Sequence, residues 1–378
     1  MFNRRIRTDQ GLIDSWTVEA ASVGRGAMNR KSKAVFRAGA AIMAWICAFG
    51  STLEGECGVK VRIIGYRGWK KAVEITNRDA RLVVVPSIGR IMHYGLTGGE
   101  NVLWENSECF GKTLPTGGPA TENGNPVWVN FGGDKVWPTE QSQWPKTNGY
   151  AWPPDHWFDG GTHSFRLLED GVEITGGASD FNGGRSIREI RLAPGGTRVS
   201  ILQKIEKVKM CKNFSAEPVP FTNWNVTQIR PPEMVLLSLN PKSRFPERWH
   251  DYSGGKRECA KNVRVEDGVA VLRPDSAKDQ KIGADSGPWI AGIAGNCLIV
   301  ELFQRDPNGL YPDGGLSETV YTCPQYTEIE LMSPLKSLKI GEALTFGIAW
   351  ELRRLPQSCR NADERRTAAL GILKGLRI

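Results

Sequence analysis

From residue 58 onward the chain is a succession of short alternating or β-branched runs. They include VKVRII, KAVEITN, ARLVVVP, RIMHYGL, SFRLLED, GVEITGGAS, SIREIRLA, RVSILQKIEKVKM and VPFTNWNVTQI. Further on come MVLLSL, NVRVEDG, VAVLRP, WIAGIAG, LIVELFQ, TEIELMS and ALTFGIAWELRR. Nearly every run is bounded by Gly, Pro, Asn or Asp, the residues that supply turns, so the pattern predicts strands joined by tight connections. A helical spacing of apolar residues appears only near the C-terminus, from about Asn361 to Leu376. The fold class expected is therefore all-β, a large antiparallel β-sandwich. No repeat, low-complexity tract or Pro/Ser-rich linker divides it, which predicts one sandwich domain over residues 58–356 and a helical tail over 357–378.

One stretch breaks this rhythm. Residues 126–163 read PVWVNFGGDKVWPTEQSQWPKTNGYAWPPDHWFDGGTH and carry Trp128, Trp137, Trp144, Trp152 and Trp157 among glycines, prolines and charged groups. Such residues end helices and permit turns, so several of these indoles are expected on loops. A sugar ring stacks its apolar face on indole while polar side chains bond its hydroxyls, and Asn130, Asp134, Lys135, Asp155 and Asp159 are interleaved for that purpose. The stretch is expected to rim a carbohydrate site, with Trp137 and Trp152 as stacking candidates. The glycines before Lys135 suggest a backbone that approaches a ligand closely, and Lys135 suits an anionic sugar group.

The N-terminus has a different character. After Met28, Arg30, Lys31, Lys33 and Arg37 precede an apolar run from Ala38 to Phe49, with Ala48 and Gly50 as small residues before a cut. This is the layout of a secretory signal peptide over residues 28–50, with 1–27 expected to be an upstream extension. The run is short for a bilayer span, so export to the periplasm or medium is expected, without stable membrane insertion after cleavage. Formal net charge is +8, but residues 1–50 hold eight Lys/Arg against three Asp/Glu, leaving 41 against 38. No nucleic-acid footprint remains. Cys57, Cys109, Cys211, Cys259, Cys297, Cys323 and Cys359 follow the expected cut without CxxC spacing, which argues against a metal knuckle. No metal or cofactor is expected. Disulfide connectivity and oligomeric state are not legible from the spacing.

The order of several segments resembles the galactose-mutarotase-like superfamily, in a bacterial branch marked by NFGGDKVWP. These are KAVEITNRDARLVVVPSIGRIMHYGLTGGENVLWEN, WVNFGGDKVWP with WPPD, FTNWNVTQI, KIGADSGPWIAG and YTEIELMSPLKSLKIGEALTFGIAWEL. The resemblance implies a β-supersandwich that binds a hexose across one sheet. It further implies aldose 1-epimerase-like isomerisation, in which a glutamate takes the anomeric proton and a histidine protonates the ring oxygen, without a cofactor. The glutamate matches Glu330 in EIELMSP. Glu328 lies on the same strand face, and two carboxylates there raise each other's proton affinity. Where the family carries its histidine, this chain reads Thr222, Asn223, Trp224, and an indole donates no catalytic proton. His156 in PPDHWFDGG and His93 in RIMHYGL are then the replacement acids to examine, followed by His163 and His250.

Three functions compete at this stage. The first is an exported enzyme acting at a sugar's anomeric or a related carbon, a polysaccharide lyase or glycosidase being its variant. In that variant Tyr150 and Tyr326 are candidate acids or bases, and Glu140, Asp155 and Asp159 add carboxylates. The second is a non-catalytic sugar-binding protein of the same fold, to which Trp224 points. The third is an envelope protein whose aromatic loop packs on a partner. GxSxG, HExxH and a Walker loop are absent from the sequence.

Overall fold

The computed structural model describes residues 52–54, 58–115, 118–122, 125–211, 220–252 and 258–376. The expected signal peptide, the extension before it and Cys57 lie outside the described residues. Two large antiparallel sheets face each other as a sandwich. One runs in the spatial order Thr52–Glu54, Lys60–Tyr66, Trp69–Thr76, Ala80–Val85, Arg90–Leu96, Asp134–Trp137, Trp224–Ile229, Thr327–Met332, Glu318–Thr322, Gln280–Ala284 and His250–Asp251. The other runs Val263–Glu266, Val269–Leu272, Met234–Ser238, Trp289–Ala294, Cys297–Phe303, Ala343–Arg354, Val199–Lys207, Gly184–Leu192, Gly171–Gly176 and His163–Leu167. The all-β expectation holds. Each sheet is assembled largely from sequence neighbours, with long returns at its centre.

The core between the sheets follows from period-two alternation. In GRSIREIRL, Ile190 and Leu192 point inward while Ile187, Glu189 and Arg191 are only partly covered. Val61, Val73, Ile75, Leu82, Ile229, Ile329 and Leu331 from the first sheet meet Val199, Ile201, Val235, Ile348 and Trp350 from the second. The outer face of the second sheet is covered by the helix Ala362–Lys374, whose Ala369 and Leu373 pack on Leu236, Ile293 and Leu298. Asn361 caps that helix by accepting from the Glu364 amide at 2.9 Å. No described helix is long and apolar enough to cross a membrane.

The interior also holds charge. Asp134 pairs with Arg188 across the sandwich and accepts from Thr227 Oγ1 at 3.0 Å, and Glu301 is fully buried. The six described cysteines, Cys109, Cys211, Cys259, Cys297, Cys323 and Cys359, are free thiols.

Candidate functional site

The central strands of the first sheet carry the chemistry, on the face turned away from the sandwich interior. In TEIELM, Ile329 and Leu331 enter the core, so Glu328, Glu330 and Met332 project from the opposite face. In DKVW the same rule sends Lys135 and Trp137 outward while Asp134 turns inward to Arg188. Two of the sequence candidates, Asp134 and Lys135, thus stand on opposite faces of one strand. Gly132 and Gly133 precede them with φ of 88° and 69°. A Cβ at Gly132 would lie 2.4 Å from the Trp104 carbonyl, and one at Gly133 would lie 2.3 Å from that of Ile91. The close approach these glycines permit is therefore to neighbouring backbone.

Both glutamates are almost completely buried and each is held by donors on one oxygen. Glu330 Oε2 accepts from Trp224 Nε1 at 3.0 Å, from Lys281 Nζ at 3.2 Å, and from Thr319 Oγ1. Glu328 Oε1 accepts from Gln228 Nε2 at 2.9 Å and pairs with Lys135 Nζ at 3.4 Å. Burial pushes the Glu328 carboxyl up; Lys135 opposes that shift and Glu330 adds to it. Burial pulls the Lys135 ammonium down, with Glu328 opposing. Lys135 also lies 5.3 Å from the centre of the Trp137 ring, and Lys281 lies 5.1 Å from that of Trp224.

The tryptophans pack over this face as a layer. Trp137 meets Trp224 edge to face at 5.0 Å and Trp144 at 5.5 Å, and Trp144 and Trp224 are each 1% exposed. Trp152 lies beside Trp128, Trp137 and Trp144 and remains 42% exposed. Asp159 ties the layer down. It accepts from Trp137 Nε1 at 2.9 Å, Trp128 Nε1 at 2.8 Å and Arg90 Nη2 at 2.8 Å. Asp155 is an internal anchor, accepting from Ser179 Oγ at 2.5 Å and Asn182 Nδ2 at 2.7 Å, and burial pushes its carboxyl up to about 6. Asn130 caps the glycine turn, accepting from the Gly132 amide at 3.2 Å.

The histidines are dispersed. His93 lies beside Tyr66, with Nδ1 3.4 Å from the phenol oxygen, and burial with the Arg81 and Arg67 charges pulls it down to about 4. His156 packs against Trp157 and Phe181. His163 is buried against Ser186 and Gly161. His250 meets Tyr252 edge to face at 5.1 Å, and the Tyr252 ring centre is 5.3 Å from Lys281 Nζ, so His250 approaches Glu330 through two intervening side chains. Among the described residues no histidine bonds either glutamate.

Open space lies beside Lys281, the lysine that bonds Glu330; Glu330, Glu328, Lys135, Trp137 and Trp152 are not among the residues that line it. A concavity of about 430 Å3 is lined by Tyr252, Lys281, Tyr321, Asp279, Lys278 and Lys261, among others. Tyr321 donates to Asp279 at 2.7 Å, and Tyr252 donates to Asp313 at 2.8 Å. Sequence reading missed Lys281, Thr319, Gln228 and Tyr321. Lys281 was within reach, since KIGA places Ile282 in the core and Lys281 on the other face. Among the described residues no three His, Cys, Asp or Glu side chains gather as a metal-ligand set.

Residues 71–353 match the family model described as a domain of unknown function, DUF4380. No curated protein matches the chain. Among solved structures, the chain is similar to a galactose mutarotase-like protein from Lactobacillus casei, at 10% identity and TM-score 0.44, covering 75% of this chain and 100% of that one. It is similar to another such protein from Clostridium acetobutylicum, at 11% identity and TM-score 0.43, covering 79% and 98%. A galactose mutarotase related enzyme from Lactobacillus acidophilus follows at 9% identity and TM-score 0.42, covering 75% and 97%.

Proposed function

The chain belongs to the DUF4380 family, and from that premise and the site just described we propose that it is an exported carbohydrate-active protein binding a sugar beside Glu330. The observation that carries the reading is the clamping of Glu330. Three donors converge on Oε2 while, among the described residues, none reaches Oε1. A carboxylate held by one oxygen keeps the other without a protein donor, and a sugar that displaces the cover over this 1% exposed group would find a base for its anomeric hydroxyl there. The adjoining concavity has the size of a small-ligand site, and Tyr252 and Tyr321 give it aromatic faces for a pyranose.

In this reading Glu330 Oε1 takes the proton of the sugar's C1 hydroxyl as the C1–O5 bond breaks. The ring oxygen then receives a proton from Lys281, the cationic donor lining the same concavity. Rotation about C1–C2 and closure on the other face return both protons. Trp152, the most exposed indole of the loop, stands outside that lining and would contact only the part of a sugar that extends beyond it. Export rests on the layout of residues 28–50 and is tested by the N-terminal sequence of secreted protein, expected to begin near Ser51.

A second reading is favoured by one specific observation. Trp224 stands where a histidine is expected and uses its N–H to bond Glu330, which suits a protein that binds a sugar without turning it over. Exchange NMR of a hexose with wild type and Glu330→Gln separates the two. Faster anomer exchange with wild type that disappears in Glu330→Gln supports isomerisation. Line broadening from binding without faster exchange leaves a binding protein, and no response from any sugar removes both readings.

A further inference from the structure

A second and larger concavity, of about 730 Å3, opens on the same outer face of the first sheet, beside the strands Ala80–Val85 and Arg90–Leu96. It is lined by Tyr66, Arg67, Arg81, His93, Trp104 and Arg230, among others. Val83 and His93 are cross-strand partners, and Val83 packs with Met92 and Phe131 on this outer side. Aromatic contacts join the two concavities. Trp104, on the wall of the larger, stacks on Tyr326 at 4.7 Å, and Tyr326 lies 6.2 Å from Tyr321, on the wall of the smaller. The path between them passes the end of the strand that carries Glu328, whose cross-strand partner is Tyr321.

The larger concavity is built around arginine. Arg67 and Gly68 form the two-residue turn between Tyr66 and Trp69, with φ of 48° and 91°. A left-handed residue costs a non-glycine side chain conformational energy, and Asn or Gly is the usual occupant of this kind of turn. Here a long cationic side chain is held in that place instead. Its guanidinium lies 5.1 Å from the centre of Phe110 and 5.7 Å from that of Tyr66, and the Arg81 guanidinium lies 5.8 Å from the same Tyr66 ring. Glu105 pairs with Arg67 at 3.5 Å and accepts from Tyr66 at 2.8 Å, which fixes the group. Arg230 pairs, among the described residues, with the exposed Glu100, a contact that water and salt weaken readily. Arg81 pairs with Glu74 at 2.8 Å, so each of the three arginines has one carboxylate partner, and the guanidinium of Arg67, whose side chain is 51% exposed, keeps further N–H donors for a ligand.

We propose that the larger concavity is an anionic-sugar subsite, and that the ligand is an acidic oligosaccharide lying from Arg67 and Arg230 past Trp104 and Tyr321 to the concavity beside Lys281. The inference rests on the proposed carbohydrate function and adds the class of glycan. Arginine suits a planar carboxylate or a sulfate ester through paired N–H donors, and the partly exposed rings of Trp104 and Tyr321 on the two walls supply apolar faces for sugar rings.

Calorimetric titration with oligosaccharides of increasing length tests it, in three arms of one backbone: neutral, uronic-acid-bearing and sulfated. Affinity is expected to rise with length, to favour an acidic arm by about tenfold or more, and to fall with added salt. The preferred acidic arm tells carboxylate from sulfate. The double variant Arg67→Gly, Arg230→Gln removes two guanidinium groups, and glycine relieves the left-handed residue, so folding is not at risk from the turn. It is expected to lose the acidic preference while binding a monosaccharide as wild type does. Monosaccharide binding with no gain from length or charge, or a double variant that keeps the preference, overturns this inference and leaves the proposed function standing. Absence of binding to every sugar, monosaccharides included, overturns both.

Discussion

Lys135 sits where a ligand-binding lysine was expected, yet its side chain is completely buried and its ammonium is 3.4 Å from Glu328 Oε1. It acts as a strut that holds one of the two glutamates. Lys135→Met keeps the length and removes the charge, leaving Glu328 buried with Gln228 as its remaining hydrogen-bond donor. Removing one partner of a buried ion pair costs about 3 to 5 kcal/mol, because the other charge is left uncompensated. Here the lower end applies, since Glu328 can take up a proton. Its pKa is already raised by burial, so the penalty applies above the unfolded carboxyl pKa and is relieved as pH falls through the folded one. Urea unfolding at pH 7 should therefore show Lys135→Met about 3 kcal/mol less stable than wild type, with a smaller difference at pH 5. Glu328→Gln should cost a similar amount by stranding the ammonium, which can in turn deprotonate. The double variant should lose less than the sum, with a coupling of about 1 to 3 kcal/mol. Single losses that simply add, or a neutral Lys135→Met, would refute the strut.

Three further predictions follow from neighbouring groups. Glu301 is buried with no donor in good hydrogen-bond geometry on either oxygen among the described residues, Thr227 and Trp350 being its nearest polar neighbours, and burial pushes its carboxyl well above the usual range. Its cost to stability grows as pH rises above the unfolded pKa, so Glu301→Gln should stabilise by about 1 to 3 kcal/mol at pH 7 and give no advantage near pH 4, by thermal or urea unfolding. His163 has its Nδ1 2.8 Å from the Gly161 carbonyl, which can only accept, so Nδ1 carries the proton and Nε2 accepts from Ser186 at 2.8 Å. Burial pulls this imidazole down to about 4, so its contribution is complete above about pH 6.5 and lost as pH falls toward 4, roughly 3 kcal/mol at most. His163→Gln should flatten that part of the stability profile. Trp152→Ala should weaken sugar affinity about tenfold in calorimetry without changing the unfolding midpoint, because this indole is the exposed one of its group.

How much of this was legible in the sequence differs from element to element. SIREIRLA reads as a strand and is one, within Gly184–Leu192, because that strand has one wetter face and one dry face. The same reading applied to TEIELM gives Glu328 and Glu330 one common face, which the structure shows, but it suggests a solvated one. Both faces of that strand are covered, since the loop of residues 126–163 folds its indoles down onto the sheet. The loop's tryptophans were readable as a concentration of aromatic surface. Their burial was not, because it depends on Asp159 and the Thr139 carbonyl, within the folded loop, accepting the N–H groups of Trp137 and Trp144, and on the packing of both rings against Trp224 from a distant strand. The concavity around Arg67 escaped sequence reading for a similar reason. Residues 66–67, 81, 93, 104 and 230 meet only once the sheet is assembled, and no local spacing marks them.

The central claim is that a sugar binds on the outer face of the first sheet beside Glu330, and the indole N–H of Trp224 reports on it directly. That N–H bonds Glu330 Oε2 at 3.0 Å, whereas the Trp350 indole is buried between the sheets. In protein labelled with nitrogen-15 at tryptophan, titration with a hexose or its acidic oligomer should move the Trp224 indole cross-peak saturably and leave that of Trp350 in place. Immobile indole signals across neutral and acidic sugars at millimolar concentration would contradict the account.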